Sequence, residues 1–467
     1  MAIPSSDSSS RPSSESVSPS ERRIRRLVEE FERTLRESFP RDGDSQTLEQ
    51  IERVTEEIGE SIKESIQRES IAQQGSGFNG SRVRCFFCRQ MVTARYRGDR
   101  ARQLVTLHGS VTVERAYYHC TECGQGFCPL DRQLAIGGGQ LSASVVALLC
   151  RFACYLSFRE AARELEIVCG VRLSHSTITR YSQAVGNQLQ QAHEGKREQV
   201  RRALEAGDPS EQDKLCPPGV RPIRQQITMD GVIIHVGGQW REAKLGCLYR
   251  PDRKNGAQDA AYFATLANSA RFGSDLHTFA AVSGSLKCRE MAVVADGAEW
   301  IWQESGKYFA SRVQILDFYH ATEHLWAVSR AWHGDKTEAN KKTAKGWVKQ
   351  QQERFLAGKA SEVIASLQEW VPTTGESRDI KRRELGYFQQ HQSCGRLDYP
   401  KYVSAGFHIG SGVIEAGCKN VVQSRMKEAG MRWSHKGAQS MLYMRADWCS
   451  QRGADFTAPA RAIVALA

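Results

Sequence analysis

A chain of 467 residues has room for roughly three domains at about 150 residues each. Its 40% hydrophobic and 25% charged residues describe a globular protein with ample core, and no apolar run approaches the length of a membrane-spanning helix. The formal charge of +11 is unevenly spread, with eight arginines against two acids between Ser81 and His119 and thirteen cations against six acids from Lys381 onward, which favours a phosphate-rich partner over a membrane.

Residues 1–20 are Ser-rich and polar and read as a disordered tail. With no apolar signal segment there, the chain is expected in the cytoplasm, and its fourteen cysteines are expected as free thiols or metal ligands rather than disulfides. Residues 21–75 carry Leu27, Phe31 and Leu35, then Leu48, Ile51, Val54 and Ile58, at helical spacing. Two amphipathic helices follow, packing on the main body or on a second copy of the chain.

Residues 80–135 hold two C-x-x-C pairs, Cys85 with Cys88 and Cys120 with Cys123, separated by 31 residues that fit a hairpin turning at His108-Gly109. Two such pairs brought together by a hairpin complete a tetrahedral four-thiolate shell, the pattern of a structural zinc ribbon. His119 and Cys128 are substitute ligands that spacing leaves open. Arg82, Arg84, Arg89, Arg95 and Arg97 surround the cluster and suit a DNA backbone.

Residues 140–205 read as helical and helix-turn-helix-like. Ala161, Leu165 and Val168 face inward on a first helix, Gly170 allows the turn, and Ser174 or Ser176 caps the second. Ile178, Tyr181 and Val185 then bury that helix and leave Thr177, Thr179 and Arg180 to reach a groove. A plain helical hairpin is the simpler reading of the same pattern.

From 222 to 450 strands come first: RQQITMDGVIIHV, REAKLGCLY, TFAAV, REMAVVADG and RVQILDF. A helical stretch follows from about 321 to 405, and residues 451–467 form a tail. Asp230 sits inside an apparently buried strand, where a lone carboxylate is costly without a partner. Asp296 ends the fourth strand, 66 residues on, and Glu415 lies early on a helix after another 119. Asp230-Gly231 and Asp296-Gly297 also suit turns, and Glu415 also suits a helix start. Together, in this strand context, the three acids predict an α/β multidomain chain with a ribonuclease-H-like core, preceded by the ribbon and the helical domain.

The chain resembles the DDE transposases of bacterial insertion sequences, closest to the ISKra type, from about Arg84 to Ser450. The resemblance rests on CFFC with YHCTECG, TMDGV, WREAKLGCLY, VVADGAEWIW with ILDFYHATEHLW, and HIGSGVIEAGCKNVVQSRMKEAGMRWS. It implies that the helical stretch from about 321 to 405 is an insertion into the core. It also implies that Asp230, Asp296 and Glu415 are the catalytic triad and hold two Mg²⁺ ions, with Mn²⁺ able to substitute, for phosphodiester cleavage and strand transfer at element ends. Asp317 and His320 match an Asp-x-x-His motif with a supporting role, a buried ion pair being the alternative. Lys419, Arg425, Lys427 and Arg432 are expected on DNA phosphates. The implied partners are double-stranded DNA, as terminal repeats and target, and further copies of the chain in a dimer or larger assembly near the nucleoid. An inert DNA-binding regulator and a non-transposing nuclease are the rival readings.

Overall fold

The computed structural model describes residues 19–38, 45–89, 94–207, 223–309, 312–450 and 455–466. Residues 1–18 of the expected tail over 1–20 and part of the one over 451–467 lie outside them, and residues 19–20 already belong to a helix. The chain divides into two compact units. One holds the residues up to Val145 with Glu166–Val171, and the other holds Val146–Leu165 and Arg172–Ile463. The division therefore falls inside the predicted 140–205 domain.

In the first unit, helices α1 (Pro19–Ser38) and α2 (Leu48–Ala72) are joined by an Arg23–Glu69 ion pair at 2.9 Å and a Ser65–Glu30 hydrogen bond at 3.2 Å. Thr47 starts α2 with a capping box closed by Gln50. A four-stranded antiparallel meander follows: β1 (Arg82–Val83), β2 (Ala94–Thr106), β3 (Gly109–Cys120) and β4 (Gly126–Phe127). The long β2–β3 hairpin uses both faces. Val111 and Val113 point with Leu104 at Leu130 of helix α3 (Pro129–Gln133), and Arg115 on that side pairs with Asp131 at 2.7 Å. Ala116, Tyr118 and Cys120 point the other way, into a second small core with Cys85, Ala94 and Phe127. The period of two along a strand makes both possible from one sequence.

Helices α4 (Ala143–Tyr155), α5 (Phe158–Cys169) and α6 (His175–Ala206) come next. Gly170 turns with φ +63 and Ser174 caps α6, accepting the Thr177 N–H at 3.2 Å. Ala161, Leu165, Ile178, Tyr181 and Val185 are buried as predicted, but Val168 is 63% exposed: it lies in the last turn of α5, outside the packed stripe.

The second unit is built on a five-stranded sheet of β5 (Arg224–Val236), β6 (Gln239–Asp252), β7 (Gly256–Thr265), β8 (Glu290–Ala295) and β9 (Val313–Leu316). The spatial order is β7-β6-β5-β8-β9, with β5–β6–β7 antiparallel and β8 and β9 parallel to β5. The third strand is not the expected TFAAV, which ends helix α7 (Ser269–Val282). Asn268 caps that helix, and Phe272, Leu276 and Ala280 recur at intervals of four and are buried, so helical periodicity wins over the short β-like run.

One sheet face, carrying Ile227 and Met229, packs on α7 and on α8 (Glu299–Tyr308). Its core runs on into α9 (Phe318–His333), α10 (Glu338–Leu356), α11 (Ala360–Glu369), α12 (Gly375–Ser393) and α13 (Tyr399–Ser404), which form the predicted helical stretch. The other face, carrying Val232, Ile234 and Leu245, packs on α14 (Gly412–Gly417), a π-helix over Cys418–Gln423, α15 (Ser424–Met426) and α16 (His435–Cys449). A last helix, α17, spans Thr457–Leu466.

Candidate functional site

β5 and β8 are parallel neighbours with Thr228 beside Val294. Continuing that register by two residues sets Asp230 beside Asp296, just past the end of β8. In-register residues of parallel strands point to the same face, and adjacent strands lie about 4.8 Å apart. The two acids, 66 residues apart in the chain, therefore share a face because of one strand pairing.

Asp296 is held by its own turn. Its carboxylate accepts the Ala298 N–H at 3.0 Å, and its main-chain carbonyl accepts the Tyr387 hydroxyl at 3.1 Å. Gly297 has φ +106, and a Cβ there would lie 2.6 Å from the Tyr387 oxygen, so only glycine fits this turn. Burial raises the pKa of Asp230. The Cys418 thiol at 3.2 Å and the Gly231 N–H at 2.6 Å pull it back, while the charges of Asp296 and Glu242 push it up.

Glu415 is exposed on α14 and lies 3.4 Å from the Ser411 hydroxyl. Three residues on, Cys418 faces the sheet and binds Asp230, and residues three apart on a helix share a side. Burial and then the charges of Asp230, Glu415 and Asp296 all push the Cys418 thiol upward. Gly417 lets the helix down onto the sheet, since a Cβ there would meet Tyr262 at 2.6 Å. The π-turn follows at once, a feature frequent at functional sites.

The acids are not drawn tightly together. Among the described residues, the ribbon thiols alone form a set of three or more His, Cys, Asp or Glu ligand atoms close enough to hold one ion.

Asp317 is fully buried and caps α9, accepting the N–H groups of Tyr319 at 2.6 Å and His320 at 3.1 Å. Its second oxygen accepts the Ser411 N–H at 2.7 Å and the Ser411 hydroxyl. It thus fastens the end of β9 to the start of the Glu415 helix. These hydrogen bonds take the place of the alternative, a buried ion pair with His320, whose ring faces Glu323 and His324 instead.

The expected phosphate contacts divide. Lys419, Lys427 and Arg432 are exposed, but Arg425 is 1% exposed. Its guanidinium donates to the Ala153 carbonyl at 2.7 Å and lies over Phe158 and Trp433, and burial pulls its pKa down to about 10. A side chain committed to the core cannot reach DNA, so Arg425 is corrected to a packing role. On α6, Arg180 is exposed, whereas the Thr177 and Thr179 hydroxyls bond to Ser174 and to the His175 carbonyl within the first turns.

In the ribbon, Cys85 and Cys123 are 3.6 Å apart and Cys88 and Cys120 are 3.8 Å apart, with all four sulfurs within 4.8 Å. Thiolates about 2.3 Å from a tetrahedral zinc are separated by about 3.8 Å, so the cluster could hold a structural zinc. The Gln125 N–H lowers the Cys123 pKa, but burial and hydrogen bonds with Cys120, Cys85 and Cys88 outweigh it and leave the thiol at about 11. His119 and Cys128 stand outside the cluster. Arg82, Arg84, Arg89, Arg95 and Arg97 are all exposed, and Arg82 lies directly opposite Arg95 across β1 and β2. Like charges in register oppose pairing unless an anion joins them.

Sequence reasoning missed Cys418, Ser411, Tyr387 and Gly417. A hint existed for Cys418 alone, three residues from Glu415 at helical spacing.

A family model described as an uncharacterised protein family (UPF0236) matches residues 87–205, which covers most of the ribbon and the helices after it and stops short of the three acids. The "UPF0236 protein in vanSb 3'region" of Streptococcus gallolyticus is 22% identical over 366 residues, covering 74% of this chain and 72% of that protein.

Proposed function

We propose that the protein is a DDE-type DNA transposase that cleaves phosphodiester bonds at the ends of an insertion sequence and joins them to target DNA. The observation that carries this reading is the β5–β8 register, which brings Asp230 and Asp296 side by side beneath the Glu415 helix. In support stands the sheet itself, three antiparallel strands followed by two parallel to the first, which is how a ribonuclease-H-like core would offer one acid from its first strand and one from its fourth.

Hard carboxylate oxygens suit Mg²⁺, which the three acids would hold. Bound Mg²⁺ would supply Lewis acidity to the attacking and departing oxygens. The chain's own residues do the rest. Asp230 and Asp296 define the floor of the site from rigid strands. Glu415 approaches from a helix whose start Asp317 holds through Ser411. Lys419, Lys427 and Arg432 offer phosphates an exposed cationic edge, and the ribbon arginines and Arg180 offer others.

The test is cleavage of DNA carrying the element ends in Mg²⁺, comparing the native chain with Glu415→Gln. The expected result is end-specific cleavage that falls at least about 1000-fold in the variant, a loss of about 4 kcal/mol in transition-state stabilisation, with end binding retained. Binding without cleavage by the native chain would favour an inert regulator. Cleavage without preference for ends would favour a general nuclease.

A further inference from the structure

We propose that His320 and His324 form a separate metal site that takes an imidazole-seeking divalent ion such as Zn²⁺ or Ni²⁺. The two residues lie four apart on α9, so their rings share one side of the helix. Their Nε2 atoms are 3.3 Å apart.

The other nitrogen of His324 is already claimed, and that of His320 has an exposed carboxylate nearby. His324 Nδ1 bonds to the Glu384 carboxylate, whose side chain is 1% exposed, and His320 Nδ1 faces Glu323 at 3.4 Å. A neutral imidazole has a single N–H, so giving that proton to a carboxylate from Nδ1 leaves Nε2 with a bare lone pair. Across the 3.3 Å gap, His320 Nε2 either donates its own proton to that lone pair or, with its proton on Nδ1, adds a second lone pair that an ion can share. Two nitrogens each about 2.05 Å from a tetrahedral zinc are about 3.4 Å apart, which this spacing matches.

The surroundings are those of a ligand pair. The Glu384 carboxyl is buried behind His324 and takes hydrogen bonds from His324 and Arg383. A carboxylate in that position fixes the ring and strengthens its donor nitrogen. Tyr387 stacks on His324 with centroids 3.9 Å apart, which further fixes the ring, and the same residue donates to the Asp296 carbonyl. The imidazole side chains remain 35% and 24% exposed, leaving positions open for water or a phosphate oxygen. Imidazole donors favour Zn²⁺, Ni²⁺ or Cu²⁺ over Mg²⁺, so this site differs in kind from the three acids.

The experiment uses the full chain with its thiol cluster saturated with zinc, titrated with Ni²⁺ in a calorimeter without DNA. That makes it independent of whether the chain cleaves anything. The native chain is expected to take one further equivalent, bound at least about tenfold more weakly in His320→Gln and His324→Ala, and about 10- to 100-fold more weakly in Glu384→Gln. If His324→Ala melts early, the more exposed His320→Gln decides. No further equivalent in the native chain, or uptake unchanged in both histidine variants, overturns the proposal. Absent uptake with imidazole nitrogen resonances of a protonated pair would assign a shared proton to the gap.

Discussion

Four thiols in the ribbon and three carboxylates on the sheet are the two candidate ligand sets of the sequence reading, and the chain prepares them to different degrees. The thiols lie within 4.8 Å of one another, while the acids share a face without closing to that range. Charge accounts for the difference. Thiols are small and apolar and can pack against one another, with hydrogen bonds between them. Three carboxylates at neutral pH repel, and the chain holds them apart on two strand positions and a helix. The four thiols are therefore part of the local core, whereas the three acids stand apart on a fixed backbone.

The largest test of that contrast is zinc removal. Chelation, or Cys85→Ser with Cys120→Ser, should unfold the ribbon, since structural zinc contributes on the order of 10 kcal/mol in small domains. Hydrogen exchange should show β2 and β3 losing protection, while Mg²⁺ removal leaves β5 and β8 protected.

Next comes a pair of cations from one helical stretch. Arg425→Ala should cost about 3 kcal/mol in urea unfolding, because it empties a buried, hydrogen-bonded and stacked position. Lys427→Ala should change stability by less than about 0.5 kcal/mol and weaken DNA binding instead.

A smaller effect tests the ribbon's surface. Arg82→Ala with Arg95→Ala removes two like charges in register, so stability should hold or rise slightly. The salt dependence of DNA binding should flatten by about two phosphate contacts, read as the slope of log affinity against log salt.

Asp230→Asn should have a small effect on stability, opposite in sign to that of Arg425→Ala. The folded-state pKa of Asp230 is raised, so its charge subtracts stability above that pKa, and the penalty fades as pH falls toward the unfolded value near about 3.9. The variant should melt higher at pH 7, by about 1 kcal/mol or less given partial solvent screening, and the gain should vanish near pH 3.

Much of this was legible in the sequence. The C-x-x-C spacing gave the ribbon and its four ligands, and strands β5, β6, β8 and β9 followed from alternating or continuous apolar runs. Strand β7 was missed because GAQDAAYFAT is alanine-rich and lacks a strong period, while TFAAV imitates a strand inside a capped helix. Among the described residues, no helix is long and apolar enough to cross a membrane, as the hydropathy implied. Val168 and Arg425 were misjudged for one reason: helical spacing says which residues share a side and leaves open what that side meets.

The sequence by itself determined the local elements, the caps at Thr47, Ser174 and Asn268, and the cysteine pairs, because these depend on residues within a few positions of one another. Tertiary structure alone decided that Asp230 stands beside Asp296, that Cys418 bonds to Asp230, that Arg425 is spent on a carbonyl 272 residues away, and that His324 is backed by Glu384. Each of these is a contact between distant segments, where burial and strand register set the chemistry of a side chain and local periodicity carries no information about the partner.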